Sequence, residues 1–121
     1  MVIENIYLLN IALNVQHVPS FASVLYLLGK QPMARFVLWG LYCEDALQKR
    51  VPFRDEHLAR LQSLKDDGTL ITLGPTEGST HVFGVFEMKS ESAVRALLEA
   101  DVYWREGIWT RLDIYPWVQA F

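Results

Sequence analysis

The chain has 121 residues, the length of one domain, of which 51% are hydrophobic, 12% aromatic and only 21% charged, so it can bury one sizeable core and is too apolar for a disordered segment. Its net charge is -3 with the basic side chains scattered, which leaves no basic patch for a phosphate backbone, and no nucleic-acid partner is expected. Cys43 is the sole cysteine, so no internal disulfide can form and a reducing cytoplasm is the expected compartment.

Residues 1–32 carry only two charges, Glu4 and Lys30, and end at the turn-forming Gly29-Lys30-Gln31-Pro32. The apolar stretch Ile6 to Val15 lacks a basic flank and is broken by Asn10 and Asn14, which argues against a signal peptide and a spanning helix. No membrane partner is expected. Ile6, Leu9 and Leu13 oppose Asn10, Asn14 and His17 at helical spacing until Pro19 and Ser20 break the pattern, after which Phe21 to Leu28 is again apolar. Two readings stand side by side: an N-terminal extension that forms an amphipathic tail, or sequence ahead of a true initiator at Met33. The domain proper is expected to span residues 33–121.

Phe36-Val-Leu-Trp-Gly-Leu-Tyr-Cys43 is a nearly continuous β-favouring run and reads as the first strand. From about Asp55, Leu58, Leu61 and Leu64 recur at helical spacing, with Asp55 and Glu56 suited to the helix N-terminus and Gly68 to its stop. Leu70 to Leu73 and Val82 to Phe86 flank Gly74-Pro75-Thr76-Glu77-Gly78-Ser79, the pattern of a hairpin. Ser90 is a natural N-cap for a second helix with Val94, Leu97 and Leu98 as its buried stripe, and Ile108 to Tyr115 reads as strand four.

The order βαββαβ predicts an α+β fold with an antiparallel sheet and both helices on one face. The helices are expected to run roughly parallel, so the start of the first and the end of the second need not be neighbours. Phe36/Leu38/Tyr42 and Val37/Trp39/Leu41 make strand one apolar on both sides, while Trp109 and Tyr115 are expected on one side of strand four with Arg111 and Asp113. Two helices cover one face only, and the other is expected to need a protein partner.

His57 shares a helical face with Leu61 and Leu64 at the helix start, where the dipole disfavours its cation and leaves the imidazole available as a base. Its structural alternative is a histidine that packs the first turn. Asp101 continues the stripe Val94, Leu97, Leu98 by one turn, where an acid needs a partner, unless it simply ends the helix toward solvent. Arg50 and Arg54 precede the first helix and suit a substrate carboxylate; they could equally be solvated. Tyr103 and His81 could line a pocket or pack structurally. Asp55-Glu56-His57 cannot converge on one ion and the histidines have no zinc spacing, so no metal is expected.

Leu47-Gln-Lys-Arg50, Arg54-Asp-Glu-His-Leu-Ala-Arg-Leu61, Gly68-Thr-Leu-Ile-Thr-Leu-Gly-Pro75, Phe83-Gly-Val-Phe-Glu87, Asp101-Val-Tyr103, Glu106-Gly107 and Ile114-Tyr-Pro-Trp117 together resemble the YCII-related (YciI-like) family. The resemblance implies a ferredoxin-like domain assembled as a dimeric α/β barrel, a homodimer, with a histidine and an aspartate in its active site; those positions are His57 and Asp101. Wider relatives are similar to muconolactone isomerases and a dehydrochlorinase of chlorinated hydroxyquinols, which move protons on small cyclic substrates without a cofactor. Two departures stand out: Val102 replaces a proline after the aspartate, and the connection from Gly74 to Thr80 is short.

The expected function is a cofactor-free acid/base enzyme of isomerase or lyase type acting on a small, cyclic metabolite. His57 takes the proton, Asp101 orients it or returns the proton, both side chains line one pocket, and Arg50, Arg54 and Tyr103 hold substrate. The alternative is a non-catalytic dimer that binds a small molecule or a protein through the same pocket.

Overall fold

The computed structural model describes Ser20, Ser23, Val24 and residues 32–121. Contacts divide the chain between Pro32 and Met33, and the fold below is that of residues 33–121. The helical reading of residues 6–17 lies outside the described residues.

Strand β1, Ala34–Tyr42, alternates as its sequence requires: Phe36, Leu38, Gly40 and Tyr42 are buried, while Val37, Trp39 and Leu41 face the other way. It pairs antiparallel with β3, His81–Met88, on one side and with β4, Trp109–Trp117, on the other; β2, Leu70–Pro75, pairs antiparallel with β3. The order β2-β3-β1-β4 is that of a ferredoxin-like α+β sheet.

Four helices connect the strands: α1, Ala46–Lys49; α2, Arg54–Asp66; α3, Glu91–Glu99; and α4, Val102–Arg105, with a 3-10 turn at Val51–Phe53 between the first two. Asp55 and Glu56 occupy the first turn of α2, and Ser90, held extended, accepts from the Ala93 N–H at 3.1 Å to start α3. Val94 and Leu98 are buried as the α3 stripe predicts. The α2 stripe differs. Leu61 and Leu64 pack on the core only in part, Leu58 is exposed, and His57 alone is buried. The reason is position: α2 packs chiefly on β2, an edge strand, so its face overhangs the sheet.

Strand four also departs from simple alternation. Arg111 lies opposite Leu41 but Trp109 lies opposite Tyr42, so Thr110 is an extra residue in a bulge. The bulge turns Trp109 away from the Arg111, Asp113 and Tyr115 side and into the core with Leu112 and Ile114. Beside it, a Cβ on Gly40 would stand 2.8 Å from the Arg111 carbonyl oxygen and 2.8 Å from Val82 Cγ1, which is why β1 carries glycine there.

The helix directions correct the sequence expectation. Each helix runs back against the strand it follows, and β1 and β3 are antiparallel, so α2 and α3 are antiparallel too. The start of α2 and the end of α3 therefore meet at one end of the domain.

On the sheet face that carries none of these four helices, the helix-free face among the described residues, the register aligns Val37 with Val85 and Tyr115, and Trp39 with Phe83 and Asp113. Trp39, Phe83 and Tyr115 are 41%, 41% and 54% exposed, and Trp39 stacks on His81 with ring centres 4.8 Å apart. No helix among the described residues is long and apolar enough to cross a membrane.

Candidate active site

The 3-10 turn delivers the chain into α2 so that His57, its fourth residue, points inward. At the end of α3 the chain leaves the helix: Ala100 closes it and Asp101 is extended, with φ -71 and ψ 143, before α4 begins. Asp101 is thus the N-cap of α4, its Oδ1 accepting from the Tyr103 N–H at 2.9 Å. The sequence placed it at the unfavourable end of α3; the short helix that follows gives it a donor.

Asp101 is fully buried and its other partners complete the account. His57 Nδ1 lies 2.8 Å from Oδ1. Arg60 donates to Oδ2 at 3.3 Å and, through its second terminal nitrogen, to the Leu97 carbonyl at 2.8 Å. An ionised carboxylate only accepts, so Nδ1 carries the shared proton, and in the neutral imidazole Nε2 is the acceptor nitrogen. The ring is fixed as well as bonded: His57 stacks on Tyr103 at 3.6 Å with planes 9° apart and meets the edge of Trp109 at 5.1 Å. Among the described residues, the buried Trp109 indole N–H has no hydrogen-bond partner.

A cleft of about 140 Å³ opens over this pair, walled by Tyr42, Arg50, Arg54, His57 and Tyr103, with Gly74 and Pro75 at the end of β2 closing one side. Four of the six sequence candidates, His57, Arg50, Arg54 and Tyr103, thus share one cavity. Asp101 does not line it; it stands behind the imidazole, 0% exposed, a correction to the expectation that both members of the pair face the pocket. His81 lies elsewhere, on the helix-free face against Trp39. Tyr42 and Arg60 were missed, although Arg60 sits one turn after His57 on the same helical face.

Among the described residues, the cleft wall holds two guanidinium groups and no carboxylate. Burial raises the pKa of Tyr42 above the ordinary phenol value, and the nearby Arg50 charge only partly opposes it; burial raises Tyr103 likewise. Both phenols are therefore hydrogen-bond donors at neutral pH. Val102, where a proline was expected, is buried as the first residue of α4, and the capping bond together with the His57 and Arg60 contacts holds Asp101 without one.

The sequence matches the YCII-related domain family over residues 34–118. The chain belongs to that family. It is 32% identical over 96 residues to protein YciI of Escherichia coli O6:H1, an alignment covering 71% of this chain and 98% of that protein. An uncharacterized protein of Haemophilus influenzae is 24% identical over the same length. Among solved structures, this YCII-related domain is similar to 5-chloro-2-hydroxyhydroquinone dehydrochlorinase from Burkholderia phenoliruptrix AC1100 in complex with 2,5-dihydroxybenzoquinone, with a TM-score of 0.63 and 23% identity over 71% of this chain and 95% of that one. That likeness is one of fold.

Proposed function

We propose that this YCII-related domain is a cofactor-free acid/base enzyme of isomerase or lyase type acting on a small, cyclic, anionic metabolite. The observation that carries the reading is the buried His57–Asp101 contact at 2.8 Å beneath a cleft walled by Arg50 and Arg54. The cleft is smaller than the roughly 300–1,000 Å³ of drug-sized sites, which suits a single ring better than a nucleotide or a peptide.

In this reading Arg50 and Arg54 hold the anionic group of the substrate. His57 Nε2 takes a proton from a carbon beside a carbonyl, and the electron pair of the broken C–H bond moves toward that carbonyl oxygen. Tyr42 and Tyr103, protonated as phenols are at neutral pH, donate to the oxygen where charge builds. In an isomerisation the imidazolium returns the proton to another carbon of the ring; in an elimination the electron pair expels the leaving group, and the proton passes to it or to water. Asp101 keeps the Nδ1–H tautomer in place and stabilises the imidazolium while it exists. The dehydrochlorinase similar in fold acts, by its name, on a chlorinated hydroxyhydroquinone, and ring compounds bearing hydroxyl and carbonyl oxygens are the substrate class proposed for this chain.

The working form is a homodimer. The exposed Trp39, Phe83 and Tyr115 side chains of the helix-free face are covered by a second copy, the two sheets together making an α/β barrel.

A second reading, a non-catalytic binding module, has its own support: His57 is only 3% exposed and tightly stacked on Tyr103, as a packed core histidine would be. A thermal-shift screen of small cyclic acids, lactones and quinols, 2,5-dihydroxybenzoquinone among them, tests both, since a ligand of the folded state raises its melting point. Turnover of a compound that binds supports the enzyme; binding with no turnover supports a small-molecule-binding module; no binding at all removes both and leaves a protein-interaction module.

A further inference from the structure

Ser79 is a polar side chain that the proposed chemistry does not use, yet it is only 7% exposed. It lies in the connection between β2 and β3, and its backbone is left-handed, with φ 54. That region is uncommon for residues with a Cβ, and among them Asn and Asp, not Ser, enter it most readily. Glycine would adopt this conformation more easily, as Gly78 does at φ 79 immediately before it. What serine has and glycine lacks is a hydroxyl, and the Ser79 Oγ accepts from an Arg50 terminal nitrogen at 3.3 Å.

The turn that carries this hydroxyl is tied to the rest of the domain. The Ser79 N–H donates to the Thr76 carbonyl at 2.9 Å, and the Tyr42 N–H donates to the Thr80 carbonyl at 3.0 Å, which joins the turn to the end of β1 beside a cleft residue. Arg50 has a long side chain at the junction of α1 and the 3-10 turn, and without an anchor its guanidinium would sample many rotamers. We infer that Ser79 is a positioning residue, its hydroxyl presented by a strained and buried turn so that Arg50 is held at the cleft in advance of an anionic ligand. The inference rests on the reading of Arg50 as a holder of anions, and it explains why a left-handed position keeps a side chain.

The test measures Arg50 directly, in the full chain and without ligand, through the nitrogen relaxation of its Nε–H group. In the wild type the order parameter is expected near the rigid value of about 0.85, and in both Ser79→Ala and Ser79→Gly it falls toward about 0.6 or below. The two variants separate positioning from stability: Ser79→Gly relieves the left-handed strain and melts above Ser79→Ala, yet Arg50 is equally loosened in both. With 2-hydroxybenzoate as the calorimetric probe, both variants bind about tenfold more weakly than wild type, and Ser79→Ala added to Arg50→Ala costs nothing more. Arg50 order that is unchanged in the variants, or binding that follows their melting points, overturns the inference. A wild-type chain that binds neither 2-hydroxybenzoate nor any compound of the screen removes the anion-site reading instead, and the Arg50 order still decides the role of Ser79.

Discussion

His57 Nδ1 and Asp101 Oδ1 stand 2.8 Å apart across 44 residues of sequence, because two antiparallel helices bring the start of one to the end of the other. The carboxylate is shared three ways, with His57, Arg60 and the Tyr103 N–H. It therefore braces α2, α3 and α4 while it orients the imidazole.

That sharing sets the stability of the site. Removing the acid in Asp101→Ala takes away the α4 cap and leaves the Arg60 and His57 donors without their acceptor, a change expected to cost roughly 2–4 kcal/mol. Urea unfolding followed by fluorescence would show a lower midpoint with the slope preserved. A loss below about 0.5 kcal/mol, the range of ordinary surface changes, would mean that the triad of contacts does not brace the helices.

Alkaline pH probes the buried phenols. Because burial raises the folded pKa of Tyr42 above the ordinary phenol value of 10.0, the unfolded chain loses that proton first. The contribution is fully present below about pH 10 and is lost as pH rises through the folded value. Melting temperatures are expected to fall as pH rises above about 10, and Tyr42→Phe to lose less over that range than wild type. Equal falls in the two chains would show that Tyr42 is not a source of the dependence.

The exposed sheet face gives a prediction about assembly. Trp39 lies in β1, an inner strand, flanked by Phe83 on β3 and Asp113 on β4, so a charge there would be buried by any partner that covers the face. Sedimentation equilibrium is expected to give a dimer for the wild type and a monomer for Trp39→Glu. A wild-type monomer at micromolar concentration would remove the barrel.

The strands and their order were legible because β1 and β3 are dense in β-branched and aromatic residues and the turn residues between β2 and β3 are unambiguous. The helices α1 and α4 were not, since four residues hold barely one turn and carry no period. The bulge at Thr110 was equally hidden: a single extra residue changes which side Trp109 faces without leaving a compositional trace. For the site, helical spacing singled out His57 and Asp101 from their own stripes. That Asp101 orients His57 was expected, but the helix geometry that allows it was not, because spacing within one helix carries no information about the direction of the next; the antiparallel β1–β3 pairing supplies it. Leu58 is exposed for a related reason, as a helix lying over an edge strand buries less of its stripe than one lying over the sheet centre.

The central claim is that His57 moves a proton, and the most direct measurement follows ligand carbon-bound protons by NMR in deuterated buffer. His57→Asn is the informative variant: its amide nitrogen takes the place of Nδ1 toward Asp101, while Nε2 is gone. The account predicts that a compound found in the screen exchanges or is converted by the wild type, and that His57→Asn binds it within a few-fold but loses about 10²–10⁴ of the rate. Bound ligand that wild type neither exchanges nor converts above the buffer rate, or a His57→Asn rate equal to wild type, would contradict it.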